Sequence, residues 1–230
     1  MEVYSEEWAE NYERLAKAGI PGREGLYRVC QAAFLSLPAD AKILIVGCGT
    51  GVELVRLAKA LHNASFVAVD PAQPMLDFCA QRLKSEGIMQ RVRLHSGLLE
   101  SLPATTPFDA ATAILVSQHI VEDEAAKVFF QNITKRLKPQ GYLYSADLHI
   151  GIGQNREQMI DLWQKQALMA GIEAPIIENL LTQFDVEFRV RDETTLKTLF
   201  HTAGLISTIK PFSSLLYGAW LSRKDSYRNN

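Results

Sequence analysis

The stretch "KILIVGCGTGVELVRLAKALHNASFVAVDP", Lys42–Pro71, decides how the chain is read. It runs from an aliphatic strand-like segment through three glycines into a helical pattern. A second apolar run follows, closed by an acid. Short apolar strands joined by amphipathic helices are what a parallel sheet buried on both faces requires. The same rhythm continues outward. Strands are expected at 42–47, 65–70, 91–97, 108–116 and 141–148, with helices at Val52–Leu61, Pro74–Glu86 and Asp123–Leu137 between them. Crossovers of that length are right-handed as a rule. In "LKPQGYLY" (137–144) the helix stops, and Gly141 reads as the turn residue before the fifth strand.

Upstream, helices are expected at Ser5–Lys17 and about Glu24–Leu37, separated by "GIPG". Downstream of Leu148 the rhythm breaks into helix-like stretches, then "RDETTLKTLFHTAGL" resumes a clean amphipathic helix. The runs "ISTIKPF" (206–212) and "SLLYGAWLSRK" (214–224) lie too close together for a crossover, so they pair antiparallel. The expected fold is α/β: a doubly wound, mostly parallel seven-stranded sheet with an antiparallel C-terminal hairpin. The chain divides into an N-terminal helical cap (1–40), a core (41–148), a helical insertion or lid (149–190) and a C-terminal helix and hairpin completing the same sheet (191–230).

Composition bounds the partners. The 230 residues are 47% hydrophobic and 22% charged with a net charge of −2, which suits one well-buried domain. That charge gives no reason to expect a nucleic-acid or membrane partner, so a small-molecule substrate is favoured, with tRNA left as an alternative. Cys30, Cys48 and Cys79 lack paired or metal-type spacing and read as reduced thiols; no metal site is expected. With no signal-peptide layout and no membrane-length apolar run, the expected location is cytoplasmic.

Gly47, Gly49 and Gly51 form G-x-G-x-G between a strand and a helix. Glycines there allow positive φ and close approach of a ligand to the backbone. The dinucleotide fingerprint wants its third glycine at position 52, which is valine, and the P-loop Lys-Ser/Thr is missing. Asp70 ends the second strand nineteen residues past Gly51, where an acid can hold ribose hydroxyls. An Asp before a Pro can equally be a turn residue or cap. Glycine turn and acid together point to a nucleoside without a pyrophosphate.

The motifs "ILIVGCGTG", "VAVDPAQPMLDFC", "FDAATAILVSQHI" and "ITKRLKPQGYLYSADL" resemble those of class I S-adenosylmethionine-dependent methyltransferases, small-molecule type. A more distant resemblance is to carboxy-S-adenosylmethionine synthases. The resemblance implies S-adenosylmethionine as cofactor, with Gly47, Cys48, Gly49 and Gly51 around its methionine and ribose and Asp70 on the ribose diol. It also implies that Pro71 and Met75 lie against the adenine, although Met75 can equally be a buried face of its own helix. Gly97 and Leu98 would meet the base; Leu98 stands where the family commonly has an acid. Leu115 and Val116 would lie beside the cofactor, with Ser117, Gln118 and His119 pointing into the acceptor crevice and His119 as candidate base. Tyr4, Trp8 and Tyr12 share a helical face, and Tyr12 is the candidate for contact with cofactor or substrate. Arg14 and Arg23 are candidates for an acidic substrate, though surface charge explains them as well.

The synthases hold an extra carboxylate with an arginine near the position where this chain has "IIENLLTQF"; Arg189 and Arg191 come later. The apolar insertion fits a lid, a homodimer interface or ordinary core. The implied function is in-line methyl transfer to a small-molecule acceptor. Alternatives are a carboxy-S-adenosylmethionine synthase-like enzyme for tRNA modification, a non-catalytic regulatory subunit that binds the cofactor, and an NAD(P)-dependent oxidoreductase. The last is disfavoured by the glycine spacing.

Overall fold

The computed structural model describes the backbone of residues 6–226 and the side chains of residues 12–226. Tyr4 and the side chain of Trp8 lie outside the described residues. Five parallel strands form the sheet's first part: β1 (Lys42–Val46), β2 (Ser65–Asp70), β3 (Val92–Ser96), β4 (Phe108–Ile114) and β5 (Leu137–Ile150). A two-residue strand, β6 (Arg191–Asp192), adds parallel to the end of β5, and β7 (Leu205–Ser214) and β8 (Tyr217–Lys224) form the hairpin. The continuous path is β3-β2-β1-β4-β5-β8-β7, with β8 antiparallel to both β5 and β7. That is the expected seven-stranded sheet; β6 is the addition.

Every strand of the parallel centre is apolar on both sides because both faces are covered. Ile43 and Ile45 of β1 face α2 (Arg23–Phe34), α3 (Val52–Ala60) and α4 (Gln73–Ser85) through Leu26, Phe34, Leu57 and Leu83. Leu44 and Val46, one residue out of phase, join Phe130 of α5 (Asp123–Arg136), Phe200 of α8 (Glu193–Thr202) and Trp220. The period of two along one strand therefore feeds two separate cores. A third apolar cluster lies over the strand ends. It joins α1 (Glu6–Gly19), α6 (Arg156–Met169) and α7 (Ala174–Gln183) to Leu148, Leu216 and Tyr217. The insertion is thus packed onto the N-terminal cap and the hairpin.

Two local readings are corrected. The hairpin turns at Leu215–Leu216, three residues later than expected, because Leu216 is fully buried in the third cluster and its neighbour Leu215 takes φ 48°. Gly141 is not the turn residue: Gln140 carries the positive φ, 61°, and β5 leaves α5 without a loop. Gly141 is needed for proximity, since a Cβ there would stand 2.9 Å from the Lys138 carbonyl oxygen and 3.1 Å from that of Asp109.

Candidate active site

The glycine turn joins the carboxyl end of β1 to α3. Gly47, Gly49 and Gly51 have φ of 69°, 49° and 82°, a left-handed run that side chains disfavour. Their surroundings differ. A Cβ on Gly47 would come within 2.4 Å of Val116 Cγ2, and one on Gly51 within 2.7 Å of Cys79 Sγ, whereas one on Gly49 would meet nothing within 4 Å. The outer glycines let the turn pack tightly, and the central one presents bare backbone to open space. Cys48 turns its side chain inward, where its thiol is hydrogen-bonded to that of Cys79, so only its backbone is offered outward.

Asp70 is where β2 ends and does two jobs at once. One carboxylate oxygen accepts from the Gly49 amide at 2.8 Å, and the other accepts from the Ala72 amide at 2.9 Å. The turn-residue reading is therefore correct as far as it goes. A carboxylate has about four acceptor positions, so lone pairs remain for a ligand diol. Burial raises its pKa, with the two amide bonds opposing. Pro71 is exposed, and Met75 is buried with Ala72. Tyr12 of α1 packs against this pair, which brings the cap directly over the end of β2. Burial pushes the Tyr12 phenol up to about 12, Arg23 opposes, and Glu13, Asp70 and Glu53 add to the rise. Tyr12 is a neutral hydrogen-bond donor across the physiological range.

Beyond β3, the Gly97 amide donates to the Asp70 carbonyl at 3.0 Å, and Leu98 stands 62% exposed. Beyond β4, Leu115 takes φ 59° while its amide donates to the Ala146 carbonyl at 2.7 Å. A left-handed leucine costs about 1–3 kcal/mol, the kind of strain that clusters at functional sites. It turns Val116 back against Gly47.

Ser117 and Gln118 do not point into the crevice as expected. The Ser117 hydroxyl donates to buried Asp147 at 2.7 Å, and the Gln118 side-chain oxygen accepts from the Leu148 amide at 3.3 Å. Both are drawn inward because the end of β5 carries polar groups that would otherwise be unpaired. Burial raises the Asp147 carboxyl to about 6, opposed by bonds from Ser117 and Ser145 and by Arg191. His119 stays at the surface, its ring edge-on to Phe188 with centroids 4.9 Å apart. The protein mass around the ring lowers its pKa, so it is neutral at pH 7.

Arg23 and Arg191 are committed to structure. Arg23 donates through both terminal nitrogens to Glu13 at 3.0 Å, and Arg14 is exposed. Buried Arg191 uses all three of its guanidinium nitrogens, on Asp123 at 2.8 Å and on the carbonyls of Ser117, Ile120 and Val121. Arg189 faces Asp185 at 3.5 Å. One contact had no signal in the sequence: the Thr50 hydroxyl, inside the glycine turn, donates to Glu13 of α1, with Arg82 of α4 donating to the same hydroxyl at 3.2 Å.

Comparison with known proteins agrees with this arrangement. Residues 43–141 match the family model described as a methyltransferase domain. An uncharacterized methyltransferase of Emericella nidulans, AN0656, is 29% identical over 123 residues, 49% of this chain and 43% of its own length. The cypemycin N-terminal methyltransferase of a Streptomyces species is 31% identical over 143 residues, 60% of this chain and 54% of that protein. The chain thus spans about half the length of these relatives. The O-methyltransferase family 2 protein from Planctomyces limnophilus, solved in complex with apigenin, superposes with a TM-score of 0.65 at 18% identity, over 97% of this chain and 63% of that one. Over residues 43–141 the chain matches a methyltransferase domain, and its fold is the one found in solved methyltransferases.

Proposed function

We propose that this methyltransferase domain is an S-adenosylmethionine-dependent enzyme that methylates a small, largely apolar acceptor held between the strand ends and the cap of α1, α6 and α7. The observation that carries the reading is the coupling of the glycine turn to Asp70. The carboxylate that would take a ribose diol is the same group that fixes the Gly49 amide, at 2.8 Å, beside the open backbone. The cradle fits an adenosyl sulfonium better than a pyrophosphate, because an acid stands within the loop's own hydrogen bonding.

The sulfonium supplies a methyl group already activated for transfer, with a neutral thioether as leaving group. What remains for the chain is placement and exclusion of water, and alignment of this kind contributes about 7–11 kcal/mol. Gly47, Cys48, Gly49 and Gly51 offer backbone to the methionine and ribose. Asp70 takes the ribose, Gly97 and Leu98 the base, and Leu115 and Val116 flank the sulfur end. Pro71 borders the base, while Met75 supports it from beneath Tyr12.

Tyr12 donates from above. His119, whose lowered pKa favours the neutral ring, is the base for an acceptor that must lose a proton. Leu148, Ile150 and Phe188 surround the acceptor side with apolar surface, which supports an apolar small molecule.

Isothermal titration tests the reading. S-adenosylhomocysteine is expected to bind one site, and Asp70→Ala to weaken it by about tenfold or more, the worth of a charged hydrogen bond. Binding of NADH in its place, or of neither compound, overturns the reading. Mass spectrometry of nucleoside retained on the purified protein separates S-adenosylmethionine from its carboxylated derivative.

A further inference from the structure

We infer that the site reads the purine of its nucleoside by its face and leaves the 6-amino group to solvent, with Leu98 as the specificity-determining residue. The inference rests on the proposed function and adds to it a statement about cofactor selectivity.

The sheet order fixes where the base goes. The glycine turn follows β1, Asp70 ends the neighbouring β2, and the next strand outward is β3. Asp70 pairs with Ser96 across that last boundary, and the Gly97 amide donates to the Asp70 carbonyl at 3.0 Å. The loop after β3 therefore begins, at Gly97, beside the residue that takes the ribose. A nucleoside with its sulfur on the glycine turn and its ribose at Asp70 carries its base over this loop.

An exocyclic amine brings two N–H donors and needs acceptors. In this loop the acceptor that Leu98 itself carries is spent. The Leu98 carbonyl already receives the Ser101 amide at 3.0 Å and the Ser101 hydroxyl at 2.7 Å, which fills both of its lone pairs. The Ser101 oxygen meets His95 Nε2 at 2.9 Å. Glu100 is drawn toward α5, where it accepts from the Asn132 side-chain amide at 2.8 Å. On the facing side, the Ser117 carbonyl is taken by the Ile120 amide and by Arg191, and the Val116 carbonyl by the His119 amide. What the loop does offer is the Leu98 side chain, 62% exposed at that spot although Leu99 beside it is buried. A leucine face packs on a purine whatever its 6-substituent. With the amine left in water on binding, deleting it forfeits no protein hydrogen bond.

The test compares S-adenosylhomocysteine with its purine analogue, in which hydrogen replaces the 6-amino group, by isothermal titration against the full chain. The two dissociation constants are expected to agree within about fivefold, less than one net hydrogen bond contributes. A larger loss for the analogue overturns the inference while leaving the proposed function standing; absence of binding by either compound overturns both. Leu98→Asp, or Leu98→Asn should the first fail to fold, places an acceptor at this position and is expected to raise the preference for the amino compound to about tenfold. An unchanged preference in a folded variant removes Leu98 as the determinant and overturns the inference.

Discussion

The floor of the crevice is fastened through backbone and its roof through side chains. On the floor, the Gly47 and Cys48 amides both donate to the Val69 carbonyl, at 2.8 and 3.1 Å, and the Gly51 amide closes the turn on the Cys48 carbonyl at 2.9 Å. On the roof, Trp163 donates through its indole to the Gly19 carbonyl at 2.9 Å, Gln166 to that of Ala18 at 3.0 Å, and Arg23 and Thr50 both to Glu13. A floor held by main-chain bonds and by the Asp70 carboxylate is indifferent to most other substitutions and intolerant of anything that alters φ. A roof held by long side chains carries their rotamer entropy and can be loosened one contact at a time.

The largest effect that would break this contrast is expected on the floor. Gly47→Ala combines a left-handed φ with a Cβ 2.4 Å from Val116 Cγ2 and 3.3 Å from its Cγ1. Left-handed strain and overpacking together predict a loss of about 2–4 kcal/mol in urea unfolding. A loss near zero would mean that the turn is not rigidly held.

A comparable but pH-dependent effect belongs to Glu53, in the first turn of α3 and hydrogen-bonded by the Thr112 hydroxyl of β4. Burial raises its carboxyl from 4.5 to about 7, the Thr112 bond opposing. Between those pH values the folded protein holds a proton that the unfolded chain has released, so stability falls as pH rises through this window. It levels off above the window, and the full loss is at most about 3 kcal/mol. Glu53→Gln removes the titration. The variant's stability relative to wild type should therefore rise between pH 5 and pH 8, measured by urea unfolding at each pH; Asp147 shifts in the same direction but cancels in the comparison. A difference that stays flat with pH would mean that Glu53 is hydrated in the native state.

The same contrast explains what the sequence made legible. β1, the glycine turn and Asp70 were readable because burial on both faces and positive φ each leave a residue-type signature within a few positions. Rotation about a strand end leaves none. Ser117 and Gln118 were placed at the right depth, yet both face inward, a choice made by Asp147 and Leu148 on a different strand. Leu115 gives no hint of its left-handed backbone, since no residue type calls for it. The hairpin turn was misplaced because the two strand-like runs are nearly continuous in sequence, whereas burial of Leu216 decides where the chain reverses. The roof was legible only as helices, and its fastenings join residues as far apart as Gln166 and Ala18, 148 positions along the chain.

The smallest expected change in stability tests the roof itself. Glu13 accepts from Thr50 in the glycine turn and from both terminal nitrogens of Arg23 at 3.0 Å, so it ties α1 to the glycine turn while also being held from α2. Its side chain is 26% exposed, and solvent screening limits the global effect of Glu13→Gln to under about 1 kcal/mol. Its local effect should be larger than that figure suggests. Weakening closure by even that much lowers the population of the covered state several-fold, and apparent affinity falls with it. S-adenosylhomocysteine is therefore expected to bind a few-fold more weakly, and trypsin to cut faster after Arg14 and Lys17, with ligand slowing the cleavage in wild type more than in the variant. Equal cleavage rates and equal protection would mean that α1 is held by apolar packing such as that of Ala16 and by the Trp163 and Gln166 bonds to its last turn, and that Glu13 is incidental to the cover.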